Sequence, residues 1–212
     1  MGAVFLWSAM SLNSTKIWQL KSGIAASGPQ GLDKISIMRQ IKEESDTFVG
    51  QTCMEEKTNV MRILDQKKIS YTAHTYDNSN AISGTEVAAY LNQNPDRVFK
   101  TLVTVAKSGK NYVFVIPVEE ELDLKKAAKA VGEKSIDMLK SKDLLPLTGY
   151  IHGGCSPIGM KKLFPTTFQK EAEEYNTIMF SAGKIGYQVE MNLKDLAKVI
   201  PYKTADITID NI

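Results

Sequence analysis

The sequence predicts an α+β fold, a mixed and curled β-sheet with helices packed outside it. Three observations predict it. First, 98–106 (VFKTLVTVA) and 111–117 (NYVFVIP) are dense in β-branched and aromatic residues and are separated by Ser108-Gly109, the pattern of a hairpin. Second, another such pair, 177–182 and 186–191, flanks Gly183. Third, capped helical signals stand between these strands without a regular βαβ rhythm, which argues for a mixed rather than a parallel sheet.

Residues 1–56 differ from the rest. They carry scattered Ser, Gly and Lys, two isolated tryptophans (Trp7 and Trp18) and a linker-like run at 22–31, SGIAASGPQG. A weak amphipathic pattern over 31–44 is compatible with a short helix. Met54 stands just before the first strong helical signal, and the arm is expected to be a peripheral or poorly ordered extension to a domain spanning 57–212.

From Lys57 the elements follow in order. Val60, Ile63 and Leu64 repeat at helical spacing and predict a helix over 58–67. ISYTAHTY at 69–76 reads as a strand, and 77–84 as a polar loop. Ser83 with Glu86 three residues later forms a capping box that opens a helix to Leu91, and Asn94-Pro95-Asp96 breaks the chain. After the first hairpin, Asp123 caps a helix through Val131. After the second, Asn192 caps a last helix through Val199, ended by Pro201.

The most informative segment is 149–162, GYIHGGCSPIGMKK. Glycines there tolerate positive φ and let the backbone approach a ligand closely, and Pro157 fixes one φ within the bend. Successive inward-facing amides form a concave site for an anion or a carbonyl. A tight connection between strands is the plainer reading of the same residues. Lys100 is the second anomaly. Alternation puts it on one face of its strand with Val98 and Leu102, while Phe99, Thr101 and Val103 share the other. Both faces are apolar, so the strand is expected to be covered on both sides, where an ammonium is costly unless it reaches an anion or a wet cleft.

Composition and motifs exclude several classes. A net charge of +2 over 212 residues gives no broad basic field. The two cysteines, Cys53 and Cys155, show no metal-ligand spacing. No apolar run reaches the ~18 residues of a membrane span, no signal-peptide pattern opens the chain, and the protein is expected to be cytoplasmic. Motifs of P-loop nucleotidases, dinucleotide enzymes and zincins are missing. His152 and Cys155 invite a Cys/His nucleophile, but loop residues three apart need not touch and the sequence does not supply their geometry, and His74 reads as a structural or rim residue.

Taken together these segments resemble the YbaK/EbsC family of aminoacyl-tRNA deacylases, relatives of the editing domain of prolyl-tRNA synthetase. The resemblance runs from about Lys57 to Thr208 through KKISYTAHTY, NPDRVFKTLV, LDLKKAAKAVG, TGYIHGGCSPIGMKKLFPT and SAGKIGYQVEMNLKDLAKV. It implies a partly barrel-like mixed sheet flanked by helices, acting without a metal or cofactor. It implies hydrolysis of a mischarged aminoacyl-tRNA, with Cys-tRNA(Pro) the nearest type, and an acylated tRNA 3′ end as partner. A prolyl-tRNA synthetase is a further candidate partner. It places the catalytic groups at Lys100, Gly153 and Gly154, and substrate contacts at Tyr76, Ser156, Pro157, Gly159, Lys161, Ser181 and Gly183. In the Cys-specific members the substrate's own thiol is the implied nucleophile. Two departures stand out: Cys155 where an aliphatic residue is common, and Gln188 where an acidic residue is common. Gln188 keeps open a non-catalytic tRNA-binding module, and pocket size keeps open another substrate such as Ala-tRNA(Pro).

Overall fold

The computed structural model describes residues 56–77 and 83–210. The arm and its weak helix over 31–44 lie outside the described residues, as does Cys53. Helix α1 (Asn59–Gln66) starts where Thr58 Oγ1 accepts from the Met61 amide, and it buries Val60, Met61 and Leu64. Strand β1 (Thr72–Thr75) is an edge strand with little burial. Helix α2 (Gly84–Tyr90) carries the full Ser83–Glu86 capping box. A 3-10 turn at Pro95–Arg97 leads into β2 (Val98–Ala106), which pairs antiparallel with β3 (Asn111–Pro117) from Phe99↔Pro117 to Val105↔Asn111. Helix α3 (Leu124–Val131) is capped by Asp123, whose carboxylate accepts from the amides of Lys125 and Lys126, and ends at Gly132 with φ 74°.

The next segment contains elements that the sequence patterns do not announce. Strand β4 (Ile136–Met138) and helix α4 (Ser141–Thr148) lie between α3 and the glycine segment, and α4 accommodates Pro146 and lacks a side-chain N-cap. Strand β5 (Thr166–Gln169) follows, then a 3-10 turn over Lys170–Glu174. The second hairpin is β6 (Ile178–Ser181) with β7 (Tyr187–Met191). The last helix, α5 (Leu193–Leu196), is shorter than the sequence pattern suggests, because it tightens into turns closed by the Val199 and Ile200 amides on Leu196 O. Strand β8 (Tyr202–Ala205) completes the sheet.

The sheet is mixed, in the order β1-β7-β6-β2-β3-β5-β8, with β4 added on β2. β1 and β8 are its two ends, so the strand order is open rather than a closed barrel. One core lies under Phe99, Val103, Val113 and Val115, and α1 and Ile158 pack into it. On the opposite face, α3 covers Ala106, Phe114 and Ile116, and α2 covers Val98, Val118 and Met179. Covering on both faces of β2 matches its apolar pattern.

One feature of the register positions the site. β6 pairs with β2 only at Val98 and Phe99, and β4 pairs with it only at Thr104, Val105 and Ala106. Both lie on the side of β2 away from β3. The Leu139 amide also bonds Val103 O on that edge, so residues 100–102 have no strand beside them, an opening of about 10 Å at ~3.4 Å per residue. The Val118 amide bonds Val98 O and the Ala106 amide bonds Lys110 O, so even-numbered residues of β2 direct their backbone groups to β3. Thr101 then directs its amide and carbonyl into the opening.

Candidate active site

The opening in the sheet is the mouth of a cleft of about 260 Å³. Lys100, Thr101, Ser181 and Gln188 line it from the sheet, Tyr76 from the end of β1, and His152 and Gly153 from the glycine segment. Lys100 is half-buried, and its Nζ donates to Val118 O at 3.0 Å. An ammonium has three donors, and among the described residues the other two have no partner. Burial lowers its pKa from the ordinary lysine value, against the opposing pull of the Glu121 and Glu120 carboxylates. Its Nζ is thus held by packing and one carbonyl rather than by an ion pair.

The glycine segment is built around Tyr150. Its amide bonds Thr148 Oγ1 and its hydroxyl donates to Ile158 O at 2.6 Å, tying one end of the segment to the other. The ring occupies the space that two glycines leave. A Cβ on Gly159 would lie 2.8 Å from the Tyr150 hydroxyl, and one on Gly183 would lie 2.8 Å from its Cε1. Both glycines also hold positive φ, 76° and 86°. Burial pushes the Tyr150 phenol up to about 12, so it stays a neutral donor.

Of the ten site residues implied by the family resemblance, the structure brings Lys100, Gly153, Tyr76 and Ser181 to the cleft wall. The other six are placed elsewhere. Gly154 is buried and its amide already donates to Ile151 O at 3.1 Å. Ser156 is buried, its Oγ accepting from the Ile158 amide, and Pro157 is buried beside it. Gly159 and Gly183 face Tyr150. Lys161 lays its stem over Gly149 and directs Nζ to the Leu145 and Pro146 carbonyls at the end of α4. Among the described residues the amides of Gly153 and Cys155, both from the cleft wall, have no hydrogen-bond partner.

Two further polar groups come to the cleft that sequence patterns single out poorly. Thr101 Oγ1 and Gln188 Oε1 are buried without a hydrogen-bond partner among the described residues. Buried polar atoms without partners are uncommon in native proteins, and both of these belong to residues that line the same cavity. The α2 residues Ser83, Gly84 and Val87, and Leu139 and Leu144, complete the walls. In the sequence, Gln188 stands out only as a departure from the family pattern, Ser83 as a helix cap, and Thr101 as a member of a strand apolar on both faces.

Cys155 lines the cleft, but burial pushes its thiol up to about 12, so it remains protonated at neutral pH. A thiol in that state is a weak nucleophile. Cys155→Ala is expected to keep deacylase activity within about threefold of wild type, and total loss of activity would establish a cysteine mechanism. His74 lies elsewhere, bonded to Glu190 at 3.0 Å; Arg97 and Thr177 bind the same carboxylate. These contacts hold its pKa low and tie β1, β7 and the start of β2 together. Among the described residues no group of three or more His, Cys, Asp or Glu side chains is arranged to hold a metal, and no helix is long and apolar enough to cross a membrane.

The chain matches the aminoacyl-tRNA editing domain over residues 79–199. It is 46% identical over 155 residues to EbsC of Enterococcus faecalis, covering 73% of this chain and 94% of that protein, whose name provisionally assigns it as a Cys-tRNA(Pro)/Cys-tRNA(Cys) deacylase. Among solved structures it is similar to one described, again provisionally, as a trans-editing enzyme for prolyl tRNA synthetase, with a TM-score of 0.63 at 21% identity over 71% of this chain and 95% of the other. A protein described only as hypothetical is equally similar, with a TM-score of 0.63 at 18% identity over 71% of this chain and 99% of its own. At those identities the structural likeness shows the fold, and the sequence matches carry the assignment: the chain belongs to the aminoacyl-tRNA editing domain family.

Proposed function

We propose that this aminoacyl-tRNA deacylase clears cysteine from mischarged tRNA(Pro), and that the substrate supplies the nucleophile. The observation that carries the reading is the half-buried Lys100 ammonium, with two donors unused, in a cleft it shares with the Gly153 segment. The cleft is just below the ~300–1,000 Å³ of pockets for drug-sized ligands, a volume suited to an aminoacyl group rather than a whole nucleotide. The 46% identity to EbsC supports cysteine as the acyl group and tRNA(Pro) as the carrier. Prolyl-tRNA synthetase, which charges that tRNA, is the implied partner.

In this mechanism the Cys155 thiol stays protonated and takes no part. The cysteinyl thiol of the substrate, as its thiolate, attacks its own ester carbonyl. A C–S bond forms, the carbonyl oxygen takes the negative charge, and the Gly153 and Cys155 amides stabilise it. The ester C–O bond then breaks, the terminal ribose oxygen leaves and takes up a proton, and a cyclic thioester departs. Lys100 holds the carbonyl or the terminal phosphate as a point charge.

A panel of charged tRNAs tests the reading. Cys-tRNA(Pro) is expected to be cleared at least tenfold faster than Ala-tRNA(Pro), which lacks the thiol but fits the same volume, with Pro-tRNA(Pro) left intact. Equal clearance of Ala-tRNA(Pro) would exclude substrate thiol attack. Binding of every charged tRNA without release of any amino acid would identify the non-catalytic module.

A further inference from the structure

A second groove, of about 440 Å³, runs along the C-terminal end of α3 and the start of β4. Lys125, Lys129 and Lys134 line it, with Gly132, Glu133 and Ser135. All three lysines are exposed, and among the described residues none forms an ion pair. Their neighbour Lys126 is different, bridging Asp206 at 3.2 Å and Asp210 at 2.6 Å. Glu133 turns its carboxylate to Tyr112 and Ser108 at 2.8 Å each, and those hydrogen bonds lower its pKa. Ser135 Oγ is buried and has no hydrogen-bond partner among the described residues. The groove therefore presents three unpaired cations against one carboxylate that is already occupied.

Its position bears on the first cleft. Ile136 lines the groove and Met138 lines the cleft, and they are two residues apart on β4, about 7 Å along the strand. Exposed Lys140 and Lys142 continue the charge beside Leu139 and Ser141, which line the cleft. Over 125–142 five lysines besides the paired Lys126 stand against the two carboxylates Glu133 and Asp137, whereas the whole chain carries only +2. A wide, open, lysine-lined groove suits a repeating anion read without base specificity, and the phosphodiester backbone is that ligand.

We propose that this groove docks the phosphate backbone of the tRNA acceptor arm whose acylated end enters the cleft. The proposal rests on the reading of the cleft as the deacylation site. Lysines supply the affinity and the register, and the cleft supplies the chemistry. A substrate reduced to its terminal nucleosides gains nothing from the groove.

The test uses the triple variant Lys125→Gln, Lys129→Gln, Lys134→Gln. Binding of uncharged tRNA is measured at several salt concentrations, so that one readout is independent of deacylation. Each lost phosphate contact removes about 0.7–0.9 from the slope of log affinity against log salt, so a loss of about two units is expected. In kinetics, KM for Cys-tRNA(Pro) is expected to rise at least tenfold at unchanged kcat, while hydrolysis of cysteinyl-adenosine stays at the wild-type rate. The matching Lys→Arg triple should retain the slope. An unchanged salt slope overturns the proposal, as does equal loss on cysteinyl-adenosine. So does a variant that keeps the slope but no longer binds prolyl-tRNA synthetase, which would assign the groove to an acidic protein surface. Failure of the wild type to deacylate any tRNA, with the slope still lost in the variant, would refute the cleft reading and leave the groove standing.

Discussion

Lys100→Ala is expected to lower deacylation of Cys-tRNA(Pro) by about 10²–10³-fold, the loss seen when one preorganised electrostatic group is removed from an active site. The fold should survive. Lys100 makes one hydrogen bond, to Val118 O, and its burial penalises the charged form. The variant is therefore expected to be at least as stable as wild type at neutral pH. The sign follows from linkage. Because its folded pKa lies below the unfolded value of about 10.4, the unfolded state binds more protons in the window between the two. The penalty is full below the folded pKa and disappears as pH rises through that window. Denaturant titrations at pH 7 and near pH 10 should show the variant's advantage shrinking. Lys100→Arg should not restore activity, because a planar guanidinium does not replace a compact ammonium in a packed site. Activity retained in Lys100→Ala, in a protein that melts cooperatively, would remove the cation from the mechanism.

What was legible in the sequence was local. Side-chain caps at Ser83, Asp123 and Asn192 mark helix starts because the capping residue lies within three positions of the amide it binds. The β2–β3 hairpin announces itself because its strands alternate around a short turn. The elements that escaped depend on distant partners. β5 buries Thr166, Thr167 and Gln169, so it shows no alternation, and Gln169 Oε1 finds its donor in the distant Ile207 amide. β4 is three residues long, and α4 contains a proline and lacks a cap. Both would be dismissed on pattern, yet β4 ends the opening beside Lys100.

The candidate site divides the same way. Lys100 was visible as a cation in an apolar strand. That the edge beside it is open is a matter of register, set by where β6 stops and β4 starts, and no periodicity encodes it. Gly159 and Gly183 look like ligand-contacting glycines in the sequence. Their actual neighbour is Tyr150, which is nine positions from one and far from the other. The unpartnered Thr101 and Gln188 oxygens could be recognised only once their surroundings were known.

Gly183→Ala is expected to destabilise the protein by about 2–6 kcal/mol, the sum of ~1–3 kcal/mol for a left-handed backbone and a similar amount for overpacking. At ~2–4 °C per kcal/mol for a domain of this size, the melting temperature should fall by roughly 4–24 °C. The added methyl would meet Tyr150 Cε1 at 2.8 Å and Val60 Cγ2 at 3.1 Å, both in the packed core. Gly109→Ala is the control. Its φ of 81° is nearly the same, but nothing lies within 4 Å of its Cβ position, so only the backbone part of the cost, about 1–3 kcal/mol, should appear. The difference between the two variants isolates contact with Tyr150 and Val60. A double-mutant cycle sharpens the assignment. Gly159→Ala strikes the Tyr150 hydroxyl, whereas Gly183→Ala strikes the ring. Tyr150→Phe should therefore relieve part of the first and none of the second. Because that hydroxyl also holds Ile158 O, Tyr150→Phe alone should loosen the segment that carries Gly153 and raise KM more than it lowers kcat. Equal rescue of both glycine variants, or none of Gly159→Ala, would mean that the tyrosine is not the strut around which the glycine segment is shaped.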